Sequence, residues 1–374
     1  MSKQILDKIR KNLLQIDPYV PGKPISEVKK EFGLTEVIKL ASNENPVGPS
    51  KKAQQAIIDA LPELSRYPDG GAVLLKQAIA EKNDIDTASI LIGNGSDEVI
   101  KLLSETFIEG EDEVIIPSPT FSQYWFGTQL MAGTTVTVDS KPDFTFDLDA
   151  IVRRITPRTK LIYLCTPNNP TGTYIKSAEL QAFLQQVPED VLVVLDEAYQ
   201  EYVEATDFAQ GIDFVKQGHR NVLVMRTFSK LYALAALRIG YIIGDAQVIE
   251  AINRSREPFN VNTMAQVAAV AALNDDEHIA TSRRVNREGM AQLIAGLQDL
   301  GYSPLPSQAN FLLFPTGMDD SVLFAALLKE GIIARSGTAL GVPGHLRVTV
   351  GTKAENEKFL AALKRVLLQL DQKV

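Results

Sequence analysis

The sequence predicts an α/β protein: a mostly parallel central sheet with helices on both faces, plus a smaller α+β C-terminal domain. Three observations carry this. Seven short, almost unbroken apolar runs end in Gly, Pro, Ser or Asp: "SILIGNG", "EVIIPSP", "TTVTVDS", "KLIYLCTP", "VLVVLDE", "NVLVMRT" and "RIGYIIGD". Helical periods such as "SDEVIKLLSETF" and "SAELQAFLQQV" lie between many of them. After about residue 260 the texture changes to long helix patterns with a few short strands. Apolar runs separated by helices read as strands buried on both faces of a parallel sheet, the doubly wound class.

In chain order, residues 1–45 combine a short amphipathic helix pattern with the Pro/Gly segment "DPYVPGKP" and read as an arm. Residues 46–260 hold the seven runs and form the large domain. Residues 261–374 form the small domain. Its helices are "TMAQVAAVAAL", "EHIATSRRVNREGMAQLIAGLQDL", "DSVLFAALLKEG" and "AENEKFLAALKRVLLQL", and its strands "ANFLLFP", "GIIARS" and "HLRVTVG".

Composition narrows the function. The 374 residues carry a net charge of −8, which argues against broad nucleic-acid binding but leaves room for an anionic small substrate gripped by local arginines. A single cysteine, Cys165, permits no internal disulfide and fits a reducing, cytoplasmic compartment. The three histidines show no zinc-like spacing, so no metal site is expected. No signal peptide is evident, and no apolar run approaches the ~20 residues needed to span a bilayer.

Ligands of open α/β sheets bind beyond the carboxyl ends of the strands. Four polar clusters follow predicted strands there: Gly93–Glu98, Thr166–Gly172, Asp196–Tyr199 and Arg226–Lys230. The Gly-x-Gly turn before Ser96 and Asp97 exposes backbone N–H groups at a helix start, which suits a phosphate. It equally suits a plain strand–helix turn capped by Ser96 or Asp97. Glu98 stands where a dinucleotide fingerprint needs its third glycine, so that motif is absent. Asp196 ends an apolar strand and needs a partner. Lys230, read alone, is a solvated charge. Beside Thr227, Ser229, Arg238 and an anion cradle, it reads as an amine nucleophile with a lowered pKa. An aldehyde cofactor with a phosphate and a basic ring nitrogen would use all of these groups.

These motifs resemble the fold-type I pyridoxal-phosphate aminotransferases, class II, and within them the histidinol-phosphate aminotransferases. The resemblance rests on "KLASNENPVGPS" (39–50), "RYPDG" (66–70), "GNGSDE" (93–98), "PSPTFSQY" (117–124), "CTPNNPTG" (165–172), "VVLDEAYQEY" (193–202), "RTFSKLYALAALRIGY" (226–241), "PSQANF" (306–311) and "LRVTVGT" (346–352), in family order over nearly the whole chain. It implies that Lys230 is catalytic, bonding the aldehyde of pyridoxal 5'-phosphate and carrying the proton. It implies Asp196 on the ring nitrogen, Asn169 and Tyr199 on the ring hydroxyl, and Tyr124 stacked on the ring. Ser96, Asp97, Thr227, Ser229 and Arg238 would hold the phosphate. Tyr67 would reach the neighbouring subunit's phosphate, making the active unit a homodimer. Arg347, with Arg335 as a second anion contact, would grip the acidic end of the substrate, and Tyr19 and Asn43 would close over the site. Ala236 departs from a glycine common in the family, and Phe121 precedes Tyr124 where some members have tyrosine. The implied reaction converts L-histidinol phosphate and 2-oxoglutarate to imidazole-acetol phosphate and L-glutamate, a step of histidine biosynthesis. An aromatic-amino-acid aminotransferase is the alternative on the same scaffold. An amino-acid-phosphate decarboxylase would keep the same cofactor residues. A cofactor-sensing regulator with a DNA-binding domain fits an acidic chain with a short arm poorly.

Overall fold

The computed structural model describes residues 7–16 and 23–371. Its strands are β1 (Ile38–Lys39), β2 (Ile90–Gly93), β3 (Glu113–Ser118), β4 (Thr134–Asp139), β5 (Thr159–Cys165), β6 (Leu192–Asp196), β7 (Val222–Thr227), β8 (Gly240–Ile243), β9 (Phe311–Pro315), β10 (Ile332–Ile333), β11 (Arg335–Ser336) and β12 (His345–Thr349). Seven of them form the large sheet in the order β2-β8-β7-β6-β5-β3-β4. Its neighbours pair in parallel from β4 to β7, and β8 runs antiparallel to both β7 and β2.

The unbroken apolar runs are explained by alternation across two buried faces. Leu161, Tyr163, Val194, Leu223 and Met225 pack on one side, against the helices Ser96–Phe107 and Ala246–Asn253. Ile162, Leu164, Val193, Leu195 and Val224 pack on the other, against Val73–Asn83 and Ser177–Leu184. Successive side chains of a strand point to opposite faces, so a sheet covered twice tolerates no polar alternation. Each such side chain contributes about 1.5–3 kcal/mol relative to exposure.

Two expected boundaries shift. The sequence pattern assigns the helix Thr263–Leu273 to the small domain, but its Ala265, Ala268, Ala269 and Ala272 are buried in the large-domain core. Small side chains on one face let it lie close to the helices Lys51–Ala60 and Val73–Asn83, and alanine periodicity does not say which neighbour a helix chooses. Residues 23–45 do not form a detached arm. The helix Ile25–Phe32 buries Val28 against Leu328 and Ile333, and β1 pairs in parallel with β10. This segment therefore belongs by packing to the small domain, whose core gathers Ile38, Leu40, Leu293, Phe314, Phe359 and Leu363 around the antiparallel sheet β11-β12-β9. Among the described residues no helix is long and apolar enough to cross a membrane.

Candidate active site

A cavity of about 680 Å³ opens where the carboxyl ends of β3, β5, β6 and β7 face the small domain. That volume suits a small-molecule site. All four polar clusters meet there: Ser96, Asp97, Asn169, Asp196, Tyr199, Thr227, Ser229, Lys230 and Arg238 line it, together with Asn43, Arg335 and Arg347 from the small-domain side.

Lys230 follows β7 by three residues, and its side chain is half-buried. Its ammonium donates to the Ser42 carbonyl at 3.1 Å and sits 5.7 Å from the centre of the Tyr199 ring. The burial of its surroundings, reinforced by the Arg347 charge, lowers its pKa to about 8. Asp196, at the end of β6, is buried. Its Oδ2 accepts from the Tyr124 hydroxyl at 2.5 Å and its Oδ1 from the Ala198 N–H at 3.1 Å. Burial pushes its pKa up to about 6, with the two donors acting against that rise.

The Gly-rich turn takes the cradle form. Gly95 caps the helix Ser96–Phe107 at φ +82°, with no side-chain cap bond. A Cβ at Gly95 would lie 2.5 Å from Arg238 Nη2 and push the guanidinium aside, and the positive φ itself favours glycine. Ser96 and Asp97 are therefore not the caps. The Asp97 carboxylate pairs with Arg238 at 3.1 Å, so this position has its backbone N–H, not its charged side chain, to give to an anion. Thr227 and Ser229 are buried beside it, the Ser229 N–H bonding the Thr227 hydroxyl at 3.1 Å.

The N-terminal segment and the small domain complete the wall. Asn43 donates to the Tyr199 hydroxyl at 3.0 Å and exchanges two hydrogen bonds with Thr349, both at 3.0 Å. Arg347 donates to Asn169 Oδ1 and to the Ala41 carbonyl, and lies over the Phe311 ring. Arg335 is the direct partner of Arg347 across the antiparallel pair β11–β12.

One sequence expectation needs correction. Tyr124 does not present its ring to the cavity. It is fully buried, stacked on Tyr163 at 4.4 Å, with Phe121 against its edge and its hydroxyl on Asp196. Phe121 is the ring on the wall. Phe121 precedes the helix Gln123–Leu130 and lies against the edge of the Tyr124 ring, whose hydroxyl reaches a buried acceptor. Tyr67 lies outside this cavity, 82% exposed and stacked on Phe259. Tyr19 falls outside the described residues. Ala236 sits exposed in the turn Ala235–Leu237, where its methyl meets no obstacle. The Ser42 carbonyl and the lip Ala339–Gly341 also shape the cavity. Sequence reading missed both, because a backbone acceptor has no residue signature and the lip is a plain turn.

A model of the class I and II aminotransferases matches residues 35–363. A histidinol-phosphate aminotransferase of Moorella thermoacetica is 48% identical over 360 residues, covering 96% of this chain and 93% of that one. That of Bacillus subtilis strain 168 is 43% identical over 360 residues, covering 96% and 100%. Among solved structures, the histidinol-phosphate aminotransferase from Sinorhizobium meliloti in complex with pyridoxal-5'-phosphate has a TM-score of 0.88 at 27% identity, covering 97% of this chain and 98% of that one. With the family model spanning most of its length and these relatives spanning nearly all of it, the chain belongs to the class I and II aminotransferases.

Proposed function

We propose that this chain is a histidinol-phosphate aminotransferase that uses pyridoxal 5'-phosphate, exchanging an amino group between L-histidinol phosphate and 2-oxoglutarate in the cytoplasm. The names of its relatives support the assignment. One observation carries the substrate side: Arg335 and Arg347 stand directly opposite each other on neighbouring strands, both on the cavity wall. Like charges so placed repel, and an anion between them offsets the cost. Planar guanidinium forks suit a phosphate and a carboxylate alike, as two substrates taken in turn require.

The donor set fits the cofactor. The Gly95 turn, Ser96, Thr227, Ser229 and Arg238 would hold its phosphate, Asp196 its ring nitrogen, and Asn169 and Tyr199 its ring hydroxyl. Pyridoxal phosphate, when bound, supplies an aldehyde for the amine and a ring that draws electron density from the substrate's α carbon. Lys230 has a neutral fraction near pH 7 and so can take up and return a proton at that carbon. Asp196, buried at the end of β6, would set a negative charge against the ring nitrogen. Phe121 shields one wall.

The substrate assignment predicts a preference. The ratio kcat/KM for L-histidinol phosphate is expected to exceed those for phenylalanine and tyrosine by about ten-fold or more, the worth of one charge-assisted contact. Equal or higher values on the aromatic amino acids would make the chain an aromatic-amino-acid aminotransferase.

The active unit is inferred to be a homodimer. Leu61, Leu64, Tyr67, Leu74 and Phe259 leave an exposed apolar face, and Tyr67 is offered outward rather than to its own cavity. Light scattering is expected to give twice the chain mass. Tyr67→Phe is expected to weaken cofactor retention about ten-fold, as for a lost hydrogen bond to a charged group. A monomeric mass would remove the dimer, and unchanged retention would remove the role of Tyr67.

A further inference from the structure

Asp320 is a buried carboxylate that lies outside the cavity wall. It opens the helix Asp320–Lys329, is 1% exposed and makes no ion pair among the described residues. Four donors converge on it instead. Its Oδ1 accepts from the Thr338 hydroxyl and the Gly344 N–H, each at 2.8 Å. Its Oδ2 accepts from the Thr338 N–H at 2.9 Å and from the Ser336 hydroxyl. Burial alone would raise the carboxyl pKa, but the donors prevail and lower it to about 2. The charge therefore persists throughout the range in which the protein works.

All four donors belong to one hairpin. β11 ends at Ser336 and β12 begins at His345, so the loop 337–344 is gathered around a single carboxylate. The loop also folds on itself, with Val342 and Leu340 each donating to the Gly337 carbonyl at 2.8 Å. Two parts of the cavity depend on this hairpin. Its tip, Ala339 to Gly341, forms the lip, and its strands carry Arg335 and Arg347. Small misplacements of positioning groups are costly to binding and catalysis.

We propose that Asp320 is a positioning residue for the substrate's anionic group. By holding the 337–344 loop in one shape, it fixes Arg335 and the lip, and so sets how tightly a phosphate-bearing substrate is held. This rests on the reading that Arg335 and Arg347 bind that anion.

Asp320→Asn keeps the size but turns one acceptor oxygen toward its donors into another donor. KM for L-histidinol phosphate is expected to rise about ten-fold, the effect of losing a hydrogen bond to a charged group, while kcat changes by less than about three-fold. The absorption spectrum of the bound cofactor is expected to stay unchanged. Ser336→Ala removes one of the four donors and is expected to raise KM by a smaller factor, providing a second readout if the first variant folds poorly. A fall in kcat at constant KM, or a lowered Tm with KM unchanged in both variants, would overturn the proposal. Arg335→Lys separates the two readings. If it raises KM while neither the Asp320 nor the Ser336 variant does, the positioning role alone fails. If it leaves KM unchanged, the anion-binding reading fails and the positioning role falls with it.

Discussion

Replacing Lys230 with alanine is expected to lower kcat by about 10⁴-fold or more, the upper range for a positioned acid–base group. No second amine can take its place. Among the other residues on the cavity wall the cations are arginines, which do not deprotonate in proteins. The fold is expected to survive. In the cofactor-free protein Lys230 binds its proton less tightly than an unfolded lysine does, releasing it near pH 8 rather than 10.5. Between those values the unfolded chain holds more protons, so this residue makes stability rise with pH, and below pH 8 its full cost is present. Lys230→Ala removes that cost, so its Tm at pH 7 is expected to equal or exceed that of the parent. Borohydride reduction of the loaded protein, followed by mass spectrometry, is expected to leave the cofactor on Lys230. An adduct on another lysine, or near-normal turnover in the alanine variant, would refute the assignment.

Asp196→Asn is expected to reduce kcat on the order of 10²–10³-fold, as when one electrostatic contact to developing charge is lost. The amide keeps the carboxylate's size and its oxygen still accepts from Tyr124, but its NH2 then faces the Ala198 N–H, so the loss combines the charge with one hydrogen bond. The stability consequence has its own sign. Burial raises the folded pKa to about 6, so the folded, cofactor-free protein holds the Asp196 proton more tightly than the unfolded chain does. This contribution is present below the ordinary aspartate range and is lost as pH rises through about 6. The asparagine variant is expected to lack that part of the pH dependence in thermal melts. An unchanged kcat would detach Asp196 from the chemistry.

Much of this site was legible in the sequence, for a physical reason. Strands buried on both faces leave an unmistakable apolar run, and a parallel sheet delivers whatever follows those runs to one edge. Asn169, Asp196, Thr227 and Lys230 thus converge on one edge by their place after the runs alone. What escaped depends on neighbours that local pattern does not name. Tyr124 and Phe121 differ by one hydroxyl, and only the position of Asp196 decides which ring turns inward. The helix Thr263–Leu273 reads the same whichever core receives its alanines. Asp320 looks like any acidic residue at a helix start, and nothing in its own stretch announces the loop it gathers.

The bonds around Asn43 also fix an order of assembly. Asn43 meets Thr349 across 306 positions of chain, and Arg347 meets Ala41 across the same span. On a ribosome, β2 to β8 emerge long before β12, and domains fold largely as they appear. A nascent chain can therefore complete the large sheet, with Lys230 and Asp196 already at its edge, while the pocket still lacks its far wall. Contacts so distant in sequence are slow to form, because chain entropy is spent before they return anything. Competence for substrate arrives only when β12 docks on a segment made 306 residues earlier. Until then the reactive lysine stands in an open, half-built cleft.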